Sequence, residues 1–125
     1  MLTYLYIGLG GFLGALARYF LTIWVTAKWG ALFPYGTLVI NLSGSFCLCF
    51  LSVIFRTHSV LSPSLRLALT VGFLGAYTTF STFSYEWLQL LQDGQMRHTL
   101  AYVLGSVIGG GVAGVLGLWL GRLFG

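Results

Sequence analysis

Four apolar stretches, interrupted mostly by small or hydroxyl-bearing side chains, alternate with short polar turns along the chain. Each comes near the roughly 20 residues that a helix needs to cross the hydrocarbon core of a bilayer. The first covers about 2–27 and closes at Lys28-Trp29-Gly30. The second covers 34–55 and is opened by Pro34, a residue suited to a first helical position because it has no N–H to lose. After the loop Arg56-Thr57-His58-Ser59, Ser62 and Pro63 read as an N-cap and first turn for a third segment over 63–91. Gln92-Asp93-Gly94-Gln95 is a turn, and the fourth stretch runs over 97–123. The pattern predicts an all-α membrane protein whose 1–125 form a single four-helix transmembrane domain.

The third segment departs from the others in its polar content. Tyr77-Thr78-Thr79-Phe80-Ser81-Thr82-Phe83-Ser84-Tyr85 carries seven hydroxyls in nine residues, spread around the whole helical circumference so that no single face can hide them. With Gly72 and Gly75 just before it, the run predicts a third helix broken near mid-membrane, where freed carbonyls are good ligands for a hard cation such as sodium. The alternative is that these hydroxyls bond back to their own helix. Phe80 and Phe83, three apart, are expected to share a face and to be buried. Either they pack in a core, or their positive ring edges face an anion. Asn41 is the other polar group deep in a span, its NH₂ serving either a helix-to-helix bond or a pore. Tyr102 and Ser106, four apart on the fourth helix, share a face from which both hydroxyls could donate.

Composition agrees with a lipid environment, since a chain 58% hydrophobic and 6% charged has too few polar side chains to cover a water-facing surface. The basic residues Arg18, Lys28, Arg56, Arg66, Arg97 and Arg122 are scattered, most near the ends of apolar runs, as for lipid headgroups. Nucleic-acid binding would need them clustered on one face. Trp24, Trp29, Trp87 and Trp119 stand toward segment ends and read as interfacial anchors. Cys47 and Cys49 point apart on a helix and read as packing residues. Ala15-Leu16-Ala17 resembles a signal-peptidase site, yet no Lys or Arg precedes the apolar run, so a cleaved leader is not expected.

Glycine recurs at four-residue spacing: Gly10 and Gly14, Gly105 and Gly109, Gly110 and Gly114, Gly117 and Gly121. In lipid such faces supply the close backbone approach that packs helices, within one chain or between two. With four spans, Arg56, Arg66 and Arg122 share one side, and Lys28 and Arg97, with Arg18 deeper, take the other. So even a count gives the positive-inside rule no purchase. A chain without that bias can insert both ways, and the two orientations can pair antiparallel.

The permeant sign follows from the side chains available. Glu86 falls toward the end of the third segment, no other carboxylate stands inside a span, and amide and hydroxyl donors are plentiful, which favours an anion. His58 and His98 are in loop regions, and no nucleophile-base or metal-ligand grouping gives catalysis a foothold; an enzyme is not expected.

Three motifs resemble the small bacterial fluoride channels of the Fluc/CrcB family across the whole chain: Gly10-Gly11-Phe12-Leu13-Gly14-Ala15-Leu16-Ala17-Arg18-Tyr19, Gly36-Thr37-Leu38-Val39-Ile40-Asn41, and Gly72-Phe73-Leu74-Gly75-Ala76-Tyr77-Thr78-Thr79-Phe80-Ser81-Thr82-Phe83-Ser84. The resemblance implies a dual-topology antiparallel homodimer in the bacterial inner (plasma) membrane, with two fluoride pores and a structural, non-transported sodium ion. It implies that the carbonyls of Gly75 and Thr78 hold the sodium. It also implies that Asn41, Phe80, Phe83, Ser81, Thr82, Ser84, Tyr102 and Ser106 line the fluoride path, and that Arg18 stands in a vestibule. The activity implied is passive fluoride export that protects the cell. A small dual-topology drug or cation antiporter and a structural membrane subunit are the alternatives. The first lacks a mid-membrane carboxylate for proton coupling, and the second leaves the hydroxyl run without a purpose.

Overall fold

A computed structural model describes residues 1–59 and 61–125. Helix α1, Leu2–Trp29, stops where Gly30 turns to a φ of 84°, a conformation that costs glycine little. Helix α2 is Tyr35–Thr57. Pro34 was expected as its first helical residue but caps it instead, at ψ 60°, outside the helix. Helix α6, Met96–Phe124, follows a turn in which Gly94 takes a φ of 73°. These three helices are long and apolar enough to cross a membrane.

The third segment, expected as a span with a break, is built from pieces. Ser62 caps α3, Pro63–Leu67, by accepting the Leu65 N–H at 3.3 Å. A π-helical segment, Ala68–Leu74, leads into α4, Gly75–Tyr77. Thr78 (ψ 158°) and Thr79 (φ −152°, ψ 121°) are extended, and α5, Phe80–Gln92, resumes the helix. No piece alone reaches a spanning length. No strand occurs among the described residues.

Packing divides the fold into two seams. Along the first, α2 runs against α6, and a Cβ on Gly117 would collide with the Phe46 carbonyl. The second holds the π-helical segment and α4 against α1, where a Cβ on Gly10 or Gly14 would strike the carbonyls of Ala68 or Phe73. These glycines therefore pack the chain on itself, whereas nothing stands within 4 Å of the place a Gly105 side chain would occupy. Buried apolar residues are few, while large ones such as Phe12, Phe20, Ile108 and Leu123 lie exposed, an inverted distribution that suits lipid rather than water.

The anchoring residues separate in the same way. Trp24, Trp29 and Trp119 are exposed, and Lys28 Nζ stands 4.6 Å above the Trp24 ring. Trp87 differs, being half-buried against Phe83, Leu90 and Tyr102, so it is a packing residue more than an anchor. Arg66 also has a specific structural duty. Its guanidinium donates to the carbonyls of Phe55 at 2.7 Å, Leu61 at 3.1 Å and His58 at 3.3 Å, closing the end of α2.

Candidate functional site

The chemistry concentrates where the third segment gives up its helical hydrogen bonds. In an α-helix each N–H binds the carbonyl four residues back. Thr78 still does so: its N–H reaches Leu74 O at 3.0 Å, and its Oγ1 donates to the same carbonyl at 2.9 Å. The Thr79 N–H instead donates to Asn41 Oδ1 at 2.8 Å, and Asn41 Nδ2 donates to Thr79 O at 2.8 Å. The Thr82 N–H goes to Thr79 Oγ1 at 3.2 Å, an N-cap for α5. The two carbonyls those amides would have met in a continuous helix belong to Gly75 and Thr78. Both lose their helical partners at one place.

Asn41, Gly75, Thr78, Thr79 and Phe80 line one open cavity of about 270 Å³. Phe80 and Phe83 follow, with ring centroids 5.8 Å apart. Their environments differ sharply: Phe83 is 7% exposed, whereas Phe80 is 79% exposed. The expectation that both rings are enclosed therefore holds within the single chain only for Phe83.

Beyond Phe83 the groups continue toward a second cavity. Phe83 meets the fully buried Tyr102 in an edge arrangement, centroids 5.2 Å apart. The Tyr102 hydroxyl donates to Glu86 Oε1 at 3.4 Å, and Thr37 Oγ1 donates to the same oxygen at 2.5 Å. Thr37 and Glu86 line a cavity of about 350 Å³ together with Thr22, Tyr85 and Asp93. One chain of contacts thus runs from Phe80 at the first cavity to Glu86 at the second.

The remaining sequence candidates are less tightly joined. Ser81 and Thr82 are exposed on the first turn of α5, each within reach of Thr79 Oγ1, at 3.4 and 3.1 Å, and Ser84 is half-buried just beyond. None of the three lines either cavity. Ser106 Oγ is buried and has no hydrogen-bond partner among the described residues. Arg18 is half-buried on α1 and lines neither cavity, although its carbonyl accepts the hydroxyl of Thr22, which lines the second at 2.8 Å from that carbonyl.

Three participants escaped the sequence reading. Glu86 was set aside as lying toward a segment end, yet the structure half-buries it beneath two hydroxyl donors. Thr37 was visible only as part of a motif, and Thr79 only as one hydroxyl among seven. A sequence signal existed for Glu86: a carboxylate within an apolar segment needs partners, and hydroxyls are the donors at hand.

Comparison with known proteins bears on all of this. The family model described as CrcB-like protein, Camphor Resistance (CrcB), matches residues 5–118. A protein of Acidobacterium capsulatum named fluoride-specific ion channel FluC is 46% identical over 122 residues, 98% of this chain and 94% of that one. Proteins of the same name from Geotalea uraniireducens and Chlorobium phaeobacteroides are 48% and 44% identical, covering 86% and 96% of this chain and 87% and 93% of theirs. With the match spanning nearly the whole chain and three helices fit to cross a bilayer, this multi-pass membrane protein belongs to the CrcB family.

Proposed function

We propose that the chain is a fluoride-selective ion channel that lets fluoride leave the cell passively and so lowers its toxicity. The observation that carries the reading is the chain of contacts from Phe80, which lines the first cavity, through Phe83 and Tyr102 to Glu86, which lines the second. Fluoride is small and strongly hydrated, so a path must replace its water with close donors and release it again. Ring edges and hydroxyls do this without a fixed positive charge that would trap the ion. Asn41 keeps one of its two N–H groups for an anion after serving Thr79. The unpaired Ser106 hydroxyl offers another donor, and Ser81, Thr82 and Ser84 continue the polar surface along α5. Arg18 supplies positive charge at a mouth. The membrane potential drives the exit of one negative charge by about 2.3 kcal/mol per 100 mV, so no energy-consuming step is required.

The carbonyls of Gly75 and Thr78 fit a structural sodium ion, because hard oxygen ligands suit a hard cation and both have lost their helical donors. When bound there, sodium supplies fixed positive charge and ties the two sides of the break together. The functional unit is an antiparallel homodimer in the bacterial inner membrane: a second copy closes the open first cavity and covers the exposed Phe80 ring.

A second reading has one observation in its favour. The half-buried Glu86 is the kind of carboxylate that proton-coupled antiport requires. Purified protein in liposomes separates the two. Fluoride efflux down its own gradient, absent for chloride and unaltered by a proton gradient at clamped voltage, is expected; efflux that follows the proton gradient would replace the channel with an exchanger.

A further inference from the structure

We propose that Asn41 is a positioning residue for cation binding, holding Thr79 out of the helix so that the Gly75 and Thr78 carbonyls stay free. The inference rests on the sodium reading above and assigns Asn41 a duty separate from contact with the permeating anion.

An amide side chain offers a donor and an acceptor at matched spacing without a charge, and Asn41 uses both on the N–H and C=O of a single residue. The acceptor arm replaces the bond that an α-helix would have given the Thr79 N–H, and the donor arm adds a second partner to a carbonyl that already opens α5 as its cap. Without the acceptor arm, the Thr79 N–H is left inside a buried residue with no partner, and the acceptor that helical geometry prescribes for it is Gly75 O. The effect reaches Thr78 as well, because Thr79 Oγ1 engages the Thr82 N–H only while Thr79 is extended. One side chain therefore governs both carbonyls.

Asn41 is suited to this by its own anchorage. It lies within the continuous helix α2, its carbonyl accepts the Ser45 hydroxyl at 2.7 Å, and α2 is braced along its length by α6. The clasp thus transmits the position of a continuous helix to the interrupted segment.

The test uses purified, reconstituted full-length protein, with thermal unfolding measured against sodium concentration in a constant background of potassium. The potassium baseline reports packing, and the rise with sodium reports the site. Asn41→Leu removes both arms, and its sodium midpoint is expected to rise by about tenfold or more, the scale of one lost hydrogen bond. Asn41→Asp keeps the acceptor arm toward the Thr79 N–H and is expected to fall between that variant and the parent. Its fluoride flux should nevertheless be the lowest of the set, since a carboxylate repels the anion. If leucine prevents assembly, Asn41→Ala removes the arms without the bulk and takes its place.

An unchanged sodium midpoint in a well-assembled leucine or alanine variant overturns the positioning role. A parent protein whose stability ignores sodium overturns the cation reading itself, and that failure is visible before any variant is made.

Discussion

The seam between α2 and α6 and the interrupted stretch 63–92 solve the same problem by opposite means. Along the seam the helices are continuous, their backbone bonds are internal, and glycine lets the chains approach until Gly117 lies against the Phe46 carbonyl. In the interrupted stretch the backbone gives up part of its ladder, and side chains fill the vacancies: Asn41 for Thr79, Thr79 for Thr82, Ser62 for Leu65. The contrast teaches where polarity is tolerated in lipid. A nonpolar surround requires every backbone group to have a partner, so a segment can leave the helix only where side chains stand ready. The polar residues of this chain are accordingly gathered at the break rather than spread evenly.

The sharpest way to break this contrast is to attack the seam. Gly117→Val puts side-chain atoms where the Phe46 carbonyl already stands, and should cost about 3 kcal/mol or more, enough to collapse the yield of folded protein. Size-exclusion profiles after detergent extraction measure it. A normal profile would mean that the seam is looser than its glycines imply. Next in size is Arg66→Ala, which leaves the carbonyls of Phe55, Leu61 and His58 without their common donor. The expected loss is about 2 kcal/mol, read as a lower unfolding temperature, with fluoride flux per amount of folded protein unchanged because Arg66 lines neither cavity.

The phenylalanines sharpen the comparison on the side of the break. Phe83→Ile removes a ring from a packed cluster and should cost on the order of 1–1.5 kcal/mol, while Phe80→Ile, at a ring 79% exposed in the single chain, should cost less. Both should nonetheless slow fluoride efflux strongly, with Phe→Met gentler because a flexible, polarisable side chain adapts to the gap. Flux that merely tracks the amount of folded protein would return both rings to packing. The smallest effect is expected from Gly105→Ala. With nothing within 4 Å and an intrinsic helix preference of about 1 kcal/mol for alanine, the single chain should be slightly steadied. A fall in dimer yield in that variant would locate Gly105 against the second copy.

Much of this architecture could be read from the residues, and the reasons for the remainder are physical. Three long apolar stretches gave three long helices because length and hydropathy act locally. The hydroxyl run marked the place of interruption, since seven such groups around one helix have no common face to hide on. Partners across the fold were not legible. That Asn41 would spend its amide on Thr79, or Thr37 its hydroxyl on Glu86, depends on how α2 lies beside α5, and one sequence contains no record of that juxtaposition. The contrast between Phe80 and Phe83 was hidden for the same reason. Three-residue spacing places two rings on neighbouring positions of a helix, but only the placement of α6 decides which of them it covers.

The π-helical segment Ala68–Leu74 sets the phase of everything after it. Wider turns accommodate an added residue, and in an α-helix one residue corresponds to a rotation of about 100°. The chain beyond Leu74 is therefore out of step with the count that begins at Ser62. Deleting one residue there, for instance the exposed Val71, would do more than shorten the segment. If the remaining turns relaxed to α-helix, Gly75, Thr78 and the residues beyond would swing to another side of the segment, and Asn41 would face the wrong peptide. Length polymorphism at this point should accordingly be forbidden, while the turn at Gln92-Asp93-Gly94-Gln95, which carries no such angular memory, should tolerate it.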